Sequence, residues 1–328
     1  MSARGPAGAD QPITLHRGGS SVPLQPGGTV LEALEHAGIE VASGCRAGTC
    51  CKCMLQADDP PAEAQRGLRP TLQAQGYFLA CQARPTSDLH LIGDAAPAAL
   101  GAVVRQIDRV APGVARILLR PESPIDYAPG QYLGVAHPDG PERSYSIASL
   151  PATGELELHV RQVPNGLVST WLHGRSPGDE VRIRGPFGQC FYVDDDLDKK
   201  HLLVGAGTGL APLLGIARDA HSRGHRGKVI LVHGGLQPDR LYLRDELRRL
   251  AEGWPQLEVH HCVLRGSTES EHEGPLDQVA IGLAGSLQDA RSFLCGDGGL
   301  VRQLQRSLFL AGAPSAEILA DPFLPAPA

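Results

Sequence analysis

Residues 44–53 read GCRAGTCCKC and place spaced cysteines in one short, glycine-containing loop. The spacing is Cys45-x4-Cys50-x2-Cys53, and Cys81 follows after 27 intervening residues. Thiolates are preferred ligands of soft metals, and glycine lets a backbone wrap closely around a compact group. The stretch therefore predicts a metal centre held by Cys45, Cys50, Cys53 and Cys81.

The spacing of the cysteines distinguishes between several kinds of cysteine site. A zinc site usually brings two close pairs of cysteines, whereas Cys81 has no near neighbour of its own type. Disulfide frameworks are typical of short secreted chains, and the later cysteines of this long chain are scattered. The spacing is that of the four thiolates of a plant-type [2Fe–2S] cluster. Cys51 competes with Cys50 as an alternative ligand.

Composition limits the class of protein. With 328 residues and 42% hydrophobic residues, the chain is long enough for two or three domains, each with its own core. A net charge of −6 argues against nucleic acid as a partner. No apolar run is long enough to span a bilayer, and residues 1–11 are predicted to be a disordered tail and not a signal peptide. We expect a cytoplasmic protein with no membrane partner.

Residues 12–93 are predicted to form the cluster domain. Short alternating segments flank Gly18 and Gly19, which indicates a hairpin. Thr29 and Glu32 have the spacing of a capping box and predict a short helix before the cysteine loop. A second strand-like stretch, YFLACQ, then returns Cys81 to the same place.

The hairpin, the helix, the cysteine loop and the late LxCQ cysteine together resemble the plant-type ferredoxin domain, over about 80 residues. The resemblance implies a β-grasp-like fold around a [2Fe–2S] cluster. One departure is Cys51, because the family usually has glycine directly after the second ligand. Cys51 is therefore read as a tolerated small residue or as an oxidation-sensitive neighbour of the cluster.

Residues 94–101 are predicted to be a linker, since they are mostly alanine, proline and glycine. Residues 102–198 then change to short β-like segments separated by turn residues, a pattern typical of an antiparallel barrel. The predicted strands are 102–107, 114–119, 131–135, 144–147, 156–160 and 180–183.

Arg143, Ser144, Tyr145 and Ser146 form a candidate flavin site on one of these strands. A guanidinium neutralises a pyrophosphate, an aromatic ring stacks on the isoalloxazine, and a small hydroxyl reaches the ring nitrogen N5. Alternation along a strand places Arg143 and Tyr145 on one face and the two serines on the other. Taken alone, the motif also fits an ordinary exposed strand.

Residues 165–170 read NGLVST and precede a helix-like segment, where backbone N–H groups can bind phosphate. Helix capping by Ser169 or Thr170 is the alternative. With PGQY upstream and GPFG downstream, these motifs resemble the FAD-binding barrel of the ferredoxin–NADP reductase superfamily. The resemblance implies that Arg143, Tyr145 and Ser146 contact FAD, and that Gly166 and Ser169 contact its pyrophosphate.

Residues 199–328 alternate strands and helices, which predicts a doubly wound parallel sheet. The stretch HLLVGAGTGLAPLLG carries Gly205, Gly207, Gly209 and Pro212 between a buried strand and a helix. Glycines there let a pyrophosphate approach the backbone at a helix N-terminus, as in other dinucleotide sites. A Walker A site is excluded because no Lys-Ser or Lys-Thr pair follows the loop.

The loop HGGLQPDR after the second strand bears on the choice of nucleotide. Arginine there favours the 2′-phosphate of NADPH, whereas a carboxylate favours the free ribose of NADH. Asp239 and Arg240 supply one of each, and relatives often carry arginine where this chain has Leu236 or Gln237. We expect NADH, with Asp239 on the ribose and NADPH as the alternative.

Cys295 and Phe323 are the last candidate site residues. Cys295 ends a strand, where the ligand edge of a doubly wound sheet lies, although buried packing is the common role of cysteine. The superfamily's Cys-Gly pair near the nicotinamide implies the functional role, and relatives place an aromatic residue like Phe323 beside the flavin. Five residues follow Phe323 here. His260 and His261 point apart on a strand, which argues against a shared metal site.

The order of the modules resembles the reductase components of multicomponent bacterial oxygenases, such as benzoate dioxygenase, phenol hydroxylase and methane monooxygenase. The expected fold is multidomain α+β and α/β: a β-grasp-like ferredoxin domain, an antiparallel FAD barrel and a doubly wound nicotinamide domain. Electrons would pass from NADH to FAD beside Ser146 and Cys295, then to the cluster, and finally to a terminal oxygenase or other acceptor protein. We expect a monomer.

Two other functions use the same modules. The electron chain could serve a partner that is not an oxygenase, of the deoxysugar dehydratase type. Alternatively, the protein could hold flavin and cluster as a redox sensor without turnover. Reduction of ferricyanide or cytochrome c by NADH separates a catalyst from a sensor.

Overall fold

The computed structural model describes residues 13–43, 45–48, 51–92, 99–268 and 270–323. The chain divides into two compact units, residues 1–95 and 96–328. The predicted tail at 1–11 and most of the predicted linker lie outside the described residues. The linker's last two positions, Leu100 and Gly101, already belong to a barrel strand, which begins two residues earlier than the sequence pattern predicts.

The first unit is a small α+β domain. Its elements are β1 (Ile13–Arg17), β2 (Ser20–Leu24), α1 (Val30–His36), β3 (Met54–Gln56), α2 (Pro70–Ala74), β4 (Tyr77–Leu79) and β5 (Leu89–Leu91). β1 pairs antiparallel with β2 and parallel with β5, and β3 pairs antiparallel with β4. Leu31 and Leu34 of α1 are buried in the same core as Leu15 and Phe78. The helix therefore closes over the sheet, as a β-grasp-like fold requires.

The capping box predicted at the start of α1 is confirmed. Thr29 Oγ1 accepts from the Glu32 backbone N–H at 3.2 Å, and Glu32 Oε2 accepts from the Thr29 backbone N–H at 2.8 Å. The bonds that the Thr29 backbone N–H and hydroxyl donate to the carboxylate favour its ionised form and lower the pKa of Glu32. The helix thus begins at the residue that the sequence indicates, one loop before the cysteines.

The second unit opens with an antiparallel barrel, and all six predicted strands are confirmed. They are β6 (Leu100–Ala111), β7 (Val114–Pro121), β8 (Tyr132–Ala136), β9 (Glu142–Ser146), β10 (Leu156–Arg161) and β11 (Glu180–Phe187), with α3 (Leu167–His173) before β11. The sheet order is β10-β7-β6-β11-β8-β9. A bridge between Ile147 and Leu158 joins its two edges, and both residues are buried in the barrel core. The sheet therefore closes on itself at this bridge.

The rest of the second unit is a parallel sheet between helices. Its elements are β12 (Lys200–Ala206), α4 (Leu210–Ser222), β13 (Val229–Gly235), α5 (Arg244–Gly253), β14 (Leu257–Val263), β15 (His272–Glu273), α6 (Leu276–Ala284), β16 (Ala290–Asp297), α7 (Gly298–Leu310) and β17 (Ile318–Phe323). The order is β15-β14-β13-β12-β16-β17, with every pairing parallel. The chain reverses direction of winding between β12 and β16, so the ligand crevice lies at their carboxyl ends.

The helices of the described ranges are short. The longest, α4 and α7, have 13 residues each, which corresponds to roughly 20 Å against a bilayer core of roughly 30 Å. Across the part of the chain that the structure describes, no helix is long and apolar enough to cross a membrane.

A buried histidine, His201, lies near the start of β12, at the end of the sheet away from the crevice. Its ring stacks on His225 with centroids 4.2 Å apart and meets the edge of Phe293. Within the described residues, neither of its ring nitrogens has a hydrogen-bond partner. Burial, followed by the nearby charges of His225 and Arg291, lowers the pKa of His201 to about 2.

We expect His201 to make the protein sensitive to acid. The unfolded chain binds a proton on this imidazole below its ordinary pKa of 6.5 and the folded protein does not, so stability is full above that pH and falls as the pH drops toward 2. At pH 5 the loss from this residue is about 2 kcal/mol. His201→Phe should remove it in urea unfolding at pH 7.5 and 5.0, while His221→Gln at the surface should not. An unchanged acid loss in His201→Phe would contradict this.

Candidate functional site

Two of the predicted cluster ligands meet because β3 and β4 pair. Met54 is opposite Leu79, and the Ala80 backbone N–H donates to the Cys53 carbonyl at 3.0 Å. Cys53 precedes β3 and Cys81 follows β4, so the pairing brings both cysteines to one end of the ribbon, and both are buried. Cys45 is exposed, and its sulfur accepts from the Ala47 backbone N–H at 3.4 Å. Cys50 lies outside the described residues.

The surroundings of these cysteines fit a metal cluster. Burial, and then contact with the Cys81 thiol, raises the pKa of Cys53. Two buried thiols in contact gain little from packing alone. They are well placed to coordinate a metal, because metal binding releases both thiol protons and leaves two thiolate ligands. Gln82 Nε2 donates to the Arg46 carbonyl at 3.3 Å and contacts the Cys81 sulfur at 3.5 Å. The Arg46 guanidinium pairs with Glu35 of α1 at 2.7 Å, so the loop is tied to the helix.

Cys51 has a left-handed backbone, with φ of 55°, and its side chain is exposed. Non-glycine residues in this region lose about 1 kcal/mol or more relative to glycine. The structure therefore gives a physical reason for the glycine that the ferredoxin family usually has at this position.

Cys51→Gly is expected to keep the cluster and to slow its loss in air, because the change relieves backbone strain and removes an exposed thiol. Iron content and visible absorbance should match those of the unmodified protein. Cys51→Ser, which keeps the strain but removes the thiol, separates the two causes. Loss of iron in both variants would instead make Cys51 a ligand.

The strand with the candidate flavin motif is β9, and its two faces differ as alternation predicts. Tyr145 packs against the barrel core, and burial raises its pKa. Ser146 is buried on the other face, while Ser144 is exposed. Arg143 is half-buried, and its guanidinium donates to the Glu142 carbonyl at 2.8 Å. The end of β9 therefore carries the hydroxyl into the protein and leaves the guanidinium near the surface.

Two aromatic residues lie in one row across the sheet from Ser146, with Tyr132 of β8 next to it and Phe187 of β11 beyond Tyr132. The Tyr132 and Phe187 rings are 5.7 Å apart and both are half-buried. Gly188 follows, and a Cβ there would lie 3.0 Å from the Tyr132 ring. Aromatic faces beside a buried hydroxyl fit the edge of a flavin ring.

A hydrogen bond joins this strand to the parallel sheet. Ser146 Oγ donates to Asp321 Oδ2 at 2.8 Å, and Asp321 lies on β17 opposite Cys295 of β16. Burial raises the pKa of Asp321 to about 6. Sequence reasoning quoted the ILADPF stretch for Phe323 and missed Asp321. The available signal was an acidic residue two positions before that aromatic, inside an otherwise apolar strand.

The candidate pyrophosphate-binding residues at the start of α3, Gly166 and Ser169, stabilise the turn that precedes the helix by hydrogen bonds within it. Ser169 Oγ accepts from the Val163 backbone N–H at 3.1 Å and donates to the Gly166 carbonyl at 3.3 Å. A Cβ on Gly166 would lie 2.7 Å from Ser169 Oγ, so glycine is needed for this approach. The predicted alternative, capping of the helix by the side chain of Ser169 or Thr170, is not observed, because the N-cap residue is Gly166, which has no side chain to cap with.

The glycine loop lies against the end of β16, at the predicted crevice. A Cβ on Gly209 would lie 2.3 Å from the Cys295 carbonyl oxygen, and one on Gly205 would lie 2.8 Å from it. Gly207 has φ of 55° and open space on its Cβ side. Pro212 is buried in the first turn of α4. The loop thus has the close packing and the open face that a dinucleotide pyrophosphate needs.

Cys295 is fully buried beside a second cysteine that sequence reasoning did not assign. Its sulfur is 3.8 Å from that of Cys190, which follows β11, and burial raises its pKa. Cys295 therefore acts as a neutral thiol. Phe323, half-buried, lies opposite Asp297 at the end of β17. Asp239 and Arg240 lie exposed beyond β13, with their charged groups 3.7 Å apart.

The histidines of β14, for which the sequence predicts no shared metal site, have other neighbours. His260 Nδ1 faces His272 at 3.3 Å, while its Nε2 lies toward Glu258 at 3.7 Å. Among the described residues, no three His, Cys, Asp or Glu side chains are grouped to hold a metal ion.

These features define a class. The buried thiol pair within the β-grasp-like domain fits an iron–sulfur cluster. The antiparallel barrel presents a hydroxyl and aromatic faces to the parallel dinucleotide sheet. That combination is an oxidoreductase that links nicotinamide, flavin and iron–sulfur chemistry.

Comparison with known families agrees in each region. Residues 13–86 match the 2Fe-2S iron-sulfur cluster binding domain, residues 103–192 the oxidoreductase FAD-binding domain, and residues 203–306 the oxidoreductase NAD-binding domain. The three matches follow the predicted order of cofactors along the chain.

Known proteins match over nearly the whole length. The chain is 30% identical over 322 residues to the reductase component of the naphthalene 1,2-dioxygenase system of Pseudomonas putida, covering 93% of this chain and 96% of the relative. It is 36% identical over 256 residues to the reductase subunit of an aromatic O-demethylase of Amycolatopsis, covering 73% and 76%. It is 30% identical to terephthalate 1,2-dioxygenase reductase component 2 of Comamonas, covering 96% and 98%.

Solved structures show the same architecture. A cytochrome P450 reductase of Amycolatopsis superposes with a TM-score of 0.68 at 29% identity, covering 95% of this chain and 99% of that one. The ferredoxin reductase of carbazole 1,9a-dioxygenase superposes with a TM-score of 0.64 at 24% identity, covering 96% and 99%, which shows the fold.

The chain belongs to the family of ferredoxin–NAD(P)+ reductase components of oxygenase systems. It is an NAD(P)H-dependent oxidoreductase with FAD and a 2Fe–2S cluster, and it passes electrons from NAD(P)H through both to a partner.

Proposed function

We propose that this protein supplies electrons from NADH to a terminal oxygenase that acts on an aromatic compound. The observation that carries the proposal is the hydrogen bond from Ser146 to Asp321, which joins the flavin strand to the ligand edge of the dinucleotide sheet. Nicotinamide and flavin sites then share one edge, where hydride transfer needs them. The oxygenase partner is supported by the names of the relatives, which serve naphthalene, terephthalate and aromatic O-demethylation systems.

Each predicted site residue has a role in this proposal. Cys45, Cys50, Cys53 and Cys81 hold the cluster. Arg143, Ser144, Tyr145 and Ser146 bind FAD, with Gly166 and Ser169 at its pyrophosphate and Phe323 beside the ring. Gly205, Gly207, Gly209 and Pro212 form the nicotinamide nucleotide's phosphate site. When bound, FAD takes two electrons from the nicotinamide and releases them one at a time.

The chain's own groups handle the proton and exclude water. Ser146 Oγ and Asp321 Oδ2 form a path for one proton, with the carboxyl poised near pH 6. Cys295, neutral and fully buried, supplies an apolar contact for the nicotinamide and leaves no charge to repel a hydride.

NADH is proposed as the nucleotide. Arg240, the one cation in the HGGLQPDR loop, lies 3.7 Å from Asp239 and 3.5 Å from the Pro112 carbonyl. Both contacts compete with a 2′-phosphate for this guanidinium, whereas Asp239 remains exposed for a ribose hydroxyl.

The decisive experiment uses the purified holoprotein with each nucleotide. We expect rapid reduction of ferricyanide and cytochrome c with NADH, and a kcat/KM with NADPH that is lower by about tenfold or more. The protein should then sustain turnover of a terminal oxygenase whose gene lies beside its own. Fast ferricyanide reduction without any oxygenase turnover would favour a partner of another kind, such as a dehydratase. No turnover with either nucleotide would overturn the proposal.

We also propose that the protein acts as a cytoplasmic monomer. Light scattering on a size-exclusion column should give the mass of one chain, 34.6 kDa plus cofactors. Fractionation of cells that express the tagged protein should recover it without detergent. A mass near twice that value, or recovery with the membranes, would contradict this part.

A further inference from the structure

A histidine that is not among the predicted site residues forms a hydrogen bond to the backbone of the glycine loop. His233 lies on β13, next to β12, and is fully buried. Its Nε2 lies 3.2 Å from the carbonyl oxygen of Gly207, the central glycine of the loop. A carbonyl can only accept, so Nε2 carries the proton. Burial, and then the neighbouring His261, lowers the pKa of His233 to about 3, so the ring is neutral at physiological pH.

The orientation of the Gly207 carbonyl determines where the next backbone N–H group of the loop points. Gly207 has a left-handed φ of 55°, and its carbonyl also accepts from the Leu210 backbone N–H at the start of α4. In a trans peptide, the carbonyl and the following N–H point in opposite directions. When His233 draws the Gly207 carbonyl toward β13, the Thr208 N–H of the same peptide faces away from β13. Such N–H groups at a helix start are what bind a pyrophosphate.

The His233 ring is connected to the barrel through Tyr242. Its ring meets the edge of the Tyr242 ring, with centroids 5.3 Å apart and planes at 89°. The Tyr242 hydroxyl donates to His159 Nδ1 at 2.9 Å, because His159 Nε2 donates to Glu157 at 2.9 Å. Glu157, in turn, bonds Arg218 of α4 at 3.0 Å. His159 and Glu157 belong to barrel strand β10, so a continuous chain of contacts runs from the barrel to the loop.

We propose that His233 is a positioning residue for the dinucleotide, whose Nε2–H fixes the Gly207 carbonyl so that the loop's N–H groups face the pyrophosphate. This inference rests on the proposed function, since it assigns the loop to NADH. It concerns binding and not the hydride step, because His233 is fully buried and its Nε2 bonds the backbone carbonyl of the loop.

The test uses two amide variants that differ only in reach. His233→Gln places an N–H where Nε2 lies, whereas His233→Asn reaches only the position of Nδ1, which has no hydrogen-bond partner among the described residues. We expect His233→Asn to raise the KM for NADH, and the Kd for NAD+ in calorimetry, by about tenfold, the equivalent of one lost hydrogen bond. His233→Gln should stay within about threefold. In both variants kcat with ferricyanide should change less than KM.

The outcomes separate this inference from the function. Inactivity of the unmodified protein with NADH would overturn the function itself. If that protein is active and the two variants shift KM and Kd equally, or Gln shifts them more than Asn, then His233 acts by packing alone and the inference is wrong. Loss of FAD in both variants leads to the same conclusion.

Discussion

Cys81→Ser is expected to lower NADH-dependent cytochrome c reduction by about 100-fold while ferricyanide reduction stays within about twofold of normal. The cysteine is buried against Cys53 and, as a proposed ligand, cannot be lost without loss of the cluster. Ferricyanide accepts electrons from the flavin directly, whereas cytochrome c depends on the one-electron outlet. Iron content, visible absorbance and both activities of the purified variant provide the measurement.

Cys262→Ser is the matched control for this change. Cys262 is also buried, but it lies on β14 of the dinucleotide sheet and contacts the Gly274 carbonyl at 3.5 Å. Its replacement should leave iron content and both activities in place. Equal loss of the two activities in Cys81→Ser would count against an electron path in which the flavin precedes the cluster.

Asp321→Asn is expected to slow ferricyanide turnover by about 100-fold, because the return of the reduced flavin to its oxidised form releases a proton that the carboxylate accepts. Hydride transfer from NADH releases no proton, so reduction of the bound flavin by NADH should change far less. The Asp321 carboxylate accepts a hydrogen bond from the Ser146 hydroxyl, with the two oxygens 2.8 Å apart, and it is the only acceptor that the structure shows at that hydroxyl among the described residues. With a pKa of about 6, Asp321 is ionised above that pH and takes up a proton readily. Turnover of the unmodified protein should therefore rise as the pH increases through 6, and the variant should show no such rise.

The same substitution should act on stability in the opposite direction. Because the folded-state pKa of Asp321 is raised above 3.8, its contribution to stability is full below that pH and is lost as the pH rises through about 6. A neutral amide avoids this loss, so Asp321→Asn should stabilise the protein at pH 8 by on the order of 2 kcal/mol after partial exposure is allowed for. At pH 4 the two should be alike.

Asp289→Asn, at the surface, controls for the loss of one negative charge. It should alter neither the pH profile nor the unfolding midpoint. If Asp321→Asn keeps the normal rate and the normal rise near pH 6, then Asp321 is not the proton acceptor of this site.

Much of the site was predictable because short-range spacing carries it. The capping box at Thr29 and the barrel strand with Arg143 and Tyr145 depend on local backbone geometry. The glycine loop likewise requires residues without side chains, and a Cβ at Gly209 would meet the Cys295 carbonyl. Each of these features depends on a few residues that are close together in the chain, so each can be recognised from the sequence.

The groups that sequence reasoning missed act across long separations. Asp321 meets Ser146 over 175 residues, and Cys190 meets Cys295 over 105. His233 is the first residue of the HGGLQPDR loop that was interpreted for nucleotide choice, and nothing nearby in sequence indicates that it bonds to Gly207. No local period relates such partners, because β17, β13 and the loop after β11 meet only when the sheets assemble.

The loop GCRAGTCCKC and the order of motifs after it determined the cofactor class, the fold class and the direction of electron flow, since ligand spacing and glycine placement are local requirements of the groups they bind. Only the tertiary structure decided which side chains handle the proton and hold the dinucleotide loop. Those functions depend on hydrogen bonds of about 3 Å between strands that are distant in the chain, and a bond of that length exists only after packing has fixed both partners.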